Sequence, residues 1–144
     1  MNKYLTLVLI LACSFNELHA TIRYVKPTPT GTGDGSSWAN ASGSLQGVIN
    51  VSVSEDEIWV AAGTYKPSST PAGCIGCGAS SATNRNNTFL LKSGVKLYGG
   101  FAGTEAYFYE RNYSSAESIL SGDIGANINL AAYHVVTAIN CSFE

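Results

Sequence analysis

The run Ile58-Trp59-Val60-Ala61-Ala62-Gly63-Thr64-Tyr65 decides how the chain is read. Its β-branched and aromatic residues suit the pleated surface of a strand. A side-chain period of two sends Ile58, Val60 and Ala62 to one face and Trp59 and Ala61 to the other. The acidic turn Glu55-Asp56-Glu57 precedes the run, and Gly63 punctuates its end.

Upstream, Thr21-Ile22-Arg23-Tyr24-Val25 alternates polar and apolar side chains, the pattern of a half-buried strand, and Pro27 and Pro29 stop it. The glycine-rich segment Gly31–Ser37 is a polar loop that delivers Trp38 as an anchor. Ser44 is placed to cap a short helix in which Leu45, Val48 and Ile49 share a face. Val51 and Val53 weaken that helix, so it has to lean on a neighbour. Downstream, residues 66–87 are rich in Ser, Thr, Pro, Gly and Cys and lack apolar periodicity, which predicts an inserted surface loop. Short strands are predicted over 88–92, 95–98, 118–124 and 133–137, each bounded by Gly, Asn or Asp. Weak helix signals disfavour a doubly wound α/β sheet. A sandwich stays open, but strand–turn units recurring without hairpin dipeptides favour an all-β solenoid.

Three groups of residues then form an ordered pattern: Asp34-Gly35-Ser36-Ser37-Trp38-Ala39-Asn40-Ala41; the run from Ile58 to Lys66-Pro67; and Gly94-Val95-Lys96-Leu97-Tyr98-Gly99-Gly100-Phe101 with Arg111-Asn112 and Ile119-Leu120-Ser121-Gly122-Asp123-Ile124. In that order they resemble the N-terminal region of secreted bacterial proteins with the pectin-lyase-like right-handed parallel β-helix. The family's usual Gly-Asp before the first buried strand is Glu55-Asp56 here. The resemblance implies a capping region over 21–57 and the first β-helix coils over 58–144. Ile58, Val60, Phe89, Leu91, Val95, Leu97, Ile119 and Val135 would stack inward, and the chain would be a truncated fragment.

Met1-Asn2-Lys3, an apolar run from Tyr4 to Ala12 and a polar stretch to Ala20 have the layout of a secretory signal, with cleavage expected after Ala20. The apolar run is shorter than the roughly 20 residues a spanning helix needs. A lipoprotein site at Cys13 is the alternative, weakened by Leu11. The chain is therefore expected to be secreted or on the cell surface, with no transmembrane span in its mature part. Apolar content of 45% suits a folded chain. With Lys3 and Glu17 set aside, seven basic residues face nine acidic ones with no basic block, which argues against a nucleic-acid partner.

Cys74-Ile75-Gly76-Cys77 has the spacing of a redox pair, of half a zinc site or of a small disulfide loop. Export favours the disulfide. Asp34, Asp56 and Asp123 fall in three different turns and read as turn formers, His134 as an outward strand residue, and Lys92 and Lys96 as solvated edge protection. No catalytic constellation, metal set or cofactor motif is predicted. The candidate binding residues are Tyr107, Tyr109, Arg111 and Tyr113, because aromatic faces beside polar groups hold sugar rings. The functional expectation is an exported surface or adhesin-like scaffold that contacts polysaccharide or cell-surface glycan. The alternative is the N-terminal part of a polysaccharide lyase or glycoside hydrolase whose catalytic coils lie beyond residue 144.

Overall fold

Ser44 does what its type predicts, accepting the Gly47 N–H at 3.1 Å and opening helix α1, Leu45–Val51. The structure, a computed structural model, describes residues 20–72, 74–78, 83–125 and 131–138. Around α1 run seven described strands: β1 Ile22–Val25, β2 Glu57–Ala61, β3 Gly63–Tyr65, β4 Phe89–Leu91, β5 Lys96–Phe101, β6 Ser118–Leu120 and β7 Val136–Ala138. Single 3₁₀ turns occupy Trp38–Asn40 and Phe108–Glu110. Residues 1–19, which hold the expected signal and Cys13, and residues 139–144, with Cys141, lie outside the described residues.

Every strand pairing is parallel, in the orders β1-β2-β5, β3-β6 and β4-β7. Ile58 sits between Arg23 and Leu97, and Trp59 between Tyr24 and Tyr98. The run read as one strand from Ile58 to Tyr65 is two strands in two different sheets. Gly63 makes the corner, with φ 141° and Pro27 packed where a Cβ would stand, a conformation that L side chains avoid.

This arrangement corrects the expected fold. Among the described residues the strands form three separate small sheets of three, two and two strands, with one packed helix and no solenoid. A right-handed parallel β-helix gains stability by stacking three or more repeats, and two of these sheets hold only a single strand pair. The class is also not purely β, because α1 supplies Leu45, Val48 and Ile49 to the core beside Val25, Ile58, Val60, Tyr65 and Phe89. Leu91, Val95, Leu97 and Val135 pack against that core. Ile119 does not, being 47% exposed. In β6 it is Leu120 that packs on the core, so the strand period turns Ile119 outward.

Polar groups bind these pieces together. The buried Gln46 amide pairs with β4 like an extra strand, accepting the Leu90 N–H at 2.7 Å and donating to the Leu90 carbonyl at 3.2 Å. Lys92, read as edge protection, instead donates to the Asn50 and Ser52 carbonyls at the C-terminal end of α1, where helix carbonyls lack partners. The loop before α1 covers the outer edge of β1 through Tyr24 N–H to Gly35 and Ser42 N–H to Tyr24, both 2.9 Å.

Asp56 is 1% exposed. One carboxylate oxygen accepts the Thr21 N–H at 2.9 Å; the other accepts the Val53 N–H at 3.0 Å and Arg23 Nε at 3.4 Å. Burial pushes its carboxyl up, but the N–H groups of Val53 and Thr21 and the Arg23 guanidinium outweigh that and hold it below its ordinary value. The turn it anchors places Glu55 at φ 73°, a left-handed conformation unusual outside glycine.

The other face of the three-stranded sheet is aromatic. Trp59 and Phe101 stack at 4.6 Å and 9°, and Tyr24 meets Trp59 edge-on at 5.7 Å and Trp38 at 4.8 Å. The Trp38 indole N–H donates to the Glu105 carbonyl at 3.0 Å.

Two outcomes follow from this packing. Phe101→Ala should cost about 3–5 kcal/mol in denaturant unfolding, because the side chain is fully buried among these rings. The depressed Asp56 carboxyl stabilises the fold above an unfolded-state value near about 4, and that contribution is lost as pH falls through its lower folded value. Urea midpoints measured from pH 7 to pH 3 should therefore fall in wild type below about pH 4, and more shallowly in Asp56→Asn.

Candidate functional site

The site grows from the Gly99-Gly100 pair in β5. Gly100 has φ 90°, and a Cβ there would lie 3.2 Å from the Tyr113 backbone nitrogen. Its carbonyl accepts the Asn112 N–H at 2.6 Å, and its N–H donates to the Ser118 hydroxyl oxygen at 3.2 Å. Ser118 in turn donates between the Val60 and Ala61 carbonyls, at 2.8 and 3.0 Å. The segment 111–118 is thereby folded against the edge of β5. Between them lies an open cleft of about 440 Å³ lined by Gly99, Gly100, Arg111, Tyr113, Glu117, Ser118 and Ile119.

Phe108 orients the aromatic run. It sits over the aromatic face, 4.7 Å edge-on to Tyr98 and 6.0 Å from Trp59. The turn that presents it is capped by Glu110, whose carboxylate accepts the N–H groups of Ala106 and Tyr107 at 2.7 and 2.8 Å. Anchoring Phe108 leaves its neighbours outward: Tyr107 is 58% and Tyr109 79% exposed, and the two rings stack at 5.4 Å and 5°. The Arg111 guanidinium lies 4.0 Å over Phe108, 5.3 Å from the Tyr98 ring and 5.9 Å from the Tyr113 ring. Contacts of this kind hold the guanidinium by its face, and among the described residues it joins no ion pair. Tyr113 is 71% exposed.

Of the four residues singled out from sequence, the structure brings Arg111 and Tyr113 into one cleft and sets Tyr107 and Tyr109 apart as a stacked pair on the preceding turn. Glu117, Ser118 and Ile119 were not among the candidates. In the sequence Ser118 and Ile119 read only as strand residues and Glu117 as the residue before them, and their proximity to Gly99 comes from parallel pairing across the chain. Nearby, Glu105 organises the turn after β5: burial raises its carboxyl, but the N–H groups of Ala102, Thr104 and Gly103 bring it below its ordinary value.

The other ionisable candidates lie apart from this cleft. Asp34 folds its own turn, accepting the Ser36 N–H and the Thr32 hydroxyl at 2.8 Å each. Asp56 is the buried tie already described, and Asp123 pairs with Lys66 at 3.2 Å on the surface. Lys96 pairs with Glu55 at 2.9 Å, and His134 is exposed. Cys74 and Cys77 are joined as a disulfide with Cα atoms 5.7 Å apart. Among the described residues no group of three or more His, Cys, Asp or Glu is arranged to hold a metal, and no helix is long and apolar enough to cross a membrane. A second cavity of about 320 Å³ lies between α1 and β3, where Lys66 is the one charged lining residue.

No family model matches the sequence, and neither the curated proteins nor the solved structures compared with it yield a match.

The glycine floor of the cleft is testable. Gly100→Ala should destabilise the chain by about 1–2 kcal/mol, from the left-handed backbone and the contact with Tyr113, read as a lower urea midpoint. Gly76→Ala is the surface comparison: its φ is 82° but a Cβ there meets no atom within 4 Å, so it should cost less by the same measurement.

Proposed function

We propose that this chain is an exported surface scaffold that binds carbohydrate through the cleft between β5 and β6. The observation that carries the reading is the exposed Tyr113 ring on the wall of a cleft whose other groups include Arg111, Glu117 and Ser118. A sugar ring has an apolar C–H face and a rim of hydroxyls. An aromatic plane takes the first, while a guanidinium and a carboxylate serve the second as donor and acceptor. The openness of the cleft suits an internal stretch of a polysaccharide as well as a chain end. The stacked Tyr107–Tyr109 pair extends the aromatic surface along the same segment. Export rests on the leader-like layout of residues 1–20.

Binding of a polysaccharide panel to the purified chain, followed by isothermal titration with the best ligand, tests this. Tyr113→Ala should weaken binding about tenfold, the loss of one ring contact of roughly 1.4 kcal/mol, with the fold unchanged by circular dichroism. Failure to bind any glycan, or binding indifferent to Tyr113→Ala and Arg111→Ala, contradicts the assignment.

A further inference from the structure

Resting on the export reading, we infer that removal of residues 1–20 turns the Thr21 nitrogen into a terminal ammonium that ion-pairs with buried Asp56, so that processing itself locks the first strand. The geometry is already set in the full chain. The Thr21 nitrogen lies 2.9 Å from one Asp56 carboxylate oxygen, and the Thr21 carbonyl accepts the Glu57 N–H at 3.0 Å. The residue is thus held at both its backbone nitrogen and its carbonyl oxygen. Ala20, immediately before it, is exposed.

The chemistry is hydrolysis by a signal peptidase. Water gives its hydroxyl to the Ala20 carbonyl carbon and a proton to the Thr21 nitrogen as the C–N bond breaks. The resulting amine takes up one further proton near neutral pH. A neutral amide donor becomes a cationic one without moving, and 2.9 Å lies in the range of charge-assisted N–H to carboxylate bonds, which are about twice as strong as neutral ones.

The neighbouring charges permit it. Arg23 of β1 reaches the opposite carboxylate oxygen at 3.4 Å and is partly exposed. Glu57 of β2 accepts the Trp59 indole N–H at 3.0 Å, and Lys96 of β5 is paired with Glu55 on the surface. An amine held against a buried carboxylate has a raised folded-state value. Its contribution is therefore full below about pH 8, the unfolded value, and is lost as pH rises through the folded one.

The test begins with the intact mass and N-terminal sequence of the chain exported by a secreting host, expected to start at Thr21. A different terminus overturns the processing reading. Thermal unfolding then compares this chain with one that retains Ala20, in which Thr21 remains an amide. At pH 7 the processed chain should melt about 3–6 °C higher, with its α-amine titrating by NMR clearly above the ordinary α-amino value of about 8. Asp56→Asn should abolish the gap; if that variant does not fold, the amine titration decides alone. A Thr21 terminus with equal melting and an ordinary amine titration overturns the inference and leaves export intact.

Discussion

The buried Asp56 carboxylate is the interaction on which the N-terminal half of the molecule depends. It joins three pieces of chain that share no strand: the start of β1 through Thr21 and Arg23, the turn after α1 through Val53, and β2, whose first residue follows it. Its own main-chain carbonyl accepts the Lys96 N–H at 2.9 Å, which brings β5 into the same junction. A buried carboxylate is expensive to desolvate, and it persists only when its oxygens are filled by good donors. Here they are filled from both sides, and the three-stranded sheet starts in register at that point.

Register at one end of a parallel sheet determines what stands together at the other. Starting Ile22, Glu57 and Lys96 side by side aligns Tyr24, Trp59 and Tyr98, with Phe101 stacked on Trp59 beyond the register shift. Phe108 docks on that aromatic face and carries Arg111 and Tyr113 to the cleft. The chain of cause runs from a carboxylate, through strand register and ring packing, to an exposed tyrosine beside a guanidinium. The glycan reading depends on the far end of that chain.

Much of the local structure was legible in the sequence because it rests on short-range chemistry. Ser44 as a cap, the shared face of Leu45, Val48 and Ile49, and the strand at Thr21–Val25 need only spacing and propensity. The corner at Gly63 was not legible as a corner, since Ile58–Tyr65 is an unbroken strand-forming run and the contact that bends it comes from Pro27. The solenoid expectation failed at the level above. Apolar runs of regular length do not state how many strands join one sheet, and the described residues form three small sheets with a helix packed among them. At the site, Arg111 and Tyr113 stood out by type, whereas Glu117 and Ser118 reach the cleft only through the pairing of β3 with β6 and the Ser118 bonds to Val60, Ala61 and Gly100. Asp56 looked like a turn former, and its partners at positions 21 and 23 are too distant in sequence for local pattern to show.

Amide hydrogen exchange resolved by residue tests the organising effect of Asp56 most directly. In Asp56→Asn, the amides of Val53, Glu57 and Lys96, whose bonds meet at that junction, should lose protection together. The Leu90 amide, held by Gln46 in a different sheet, should change far less. Uniform loss across all of these amides, or no loss at the junction, would contradict the account.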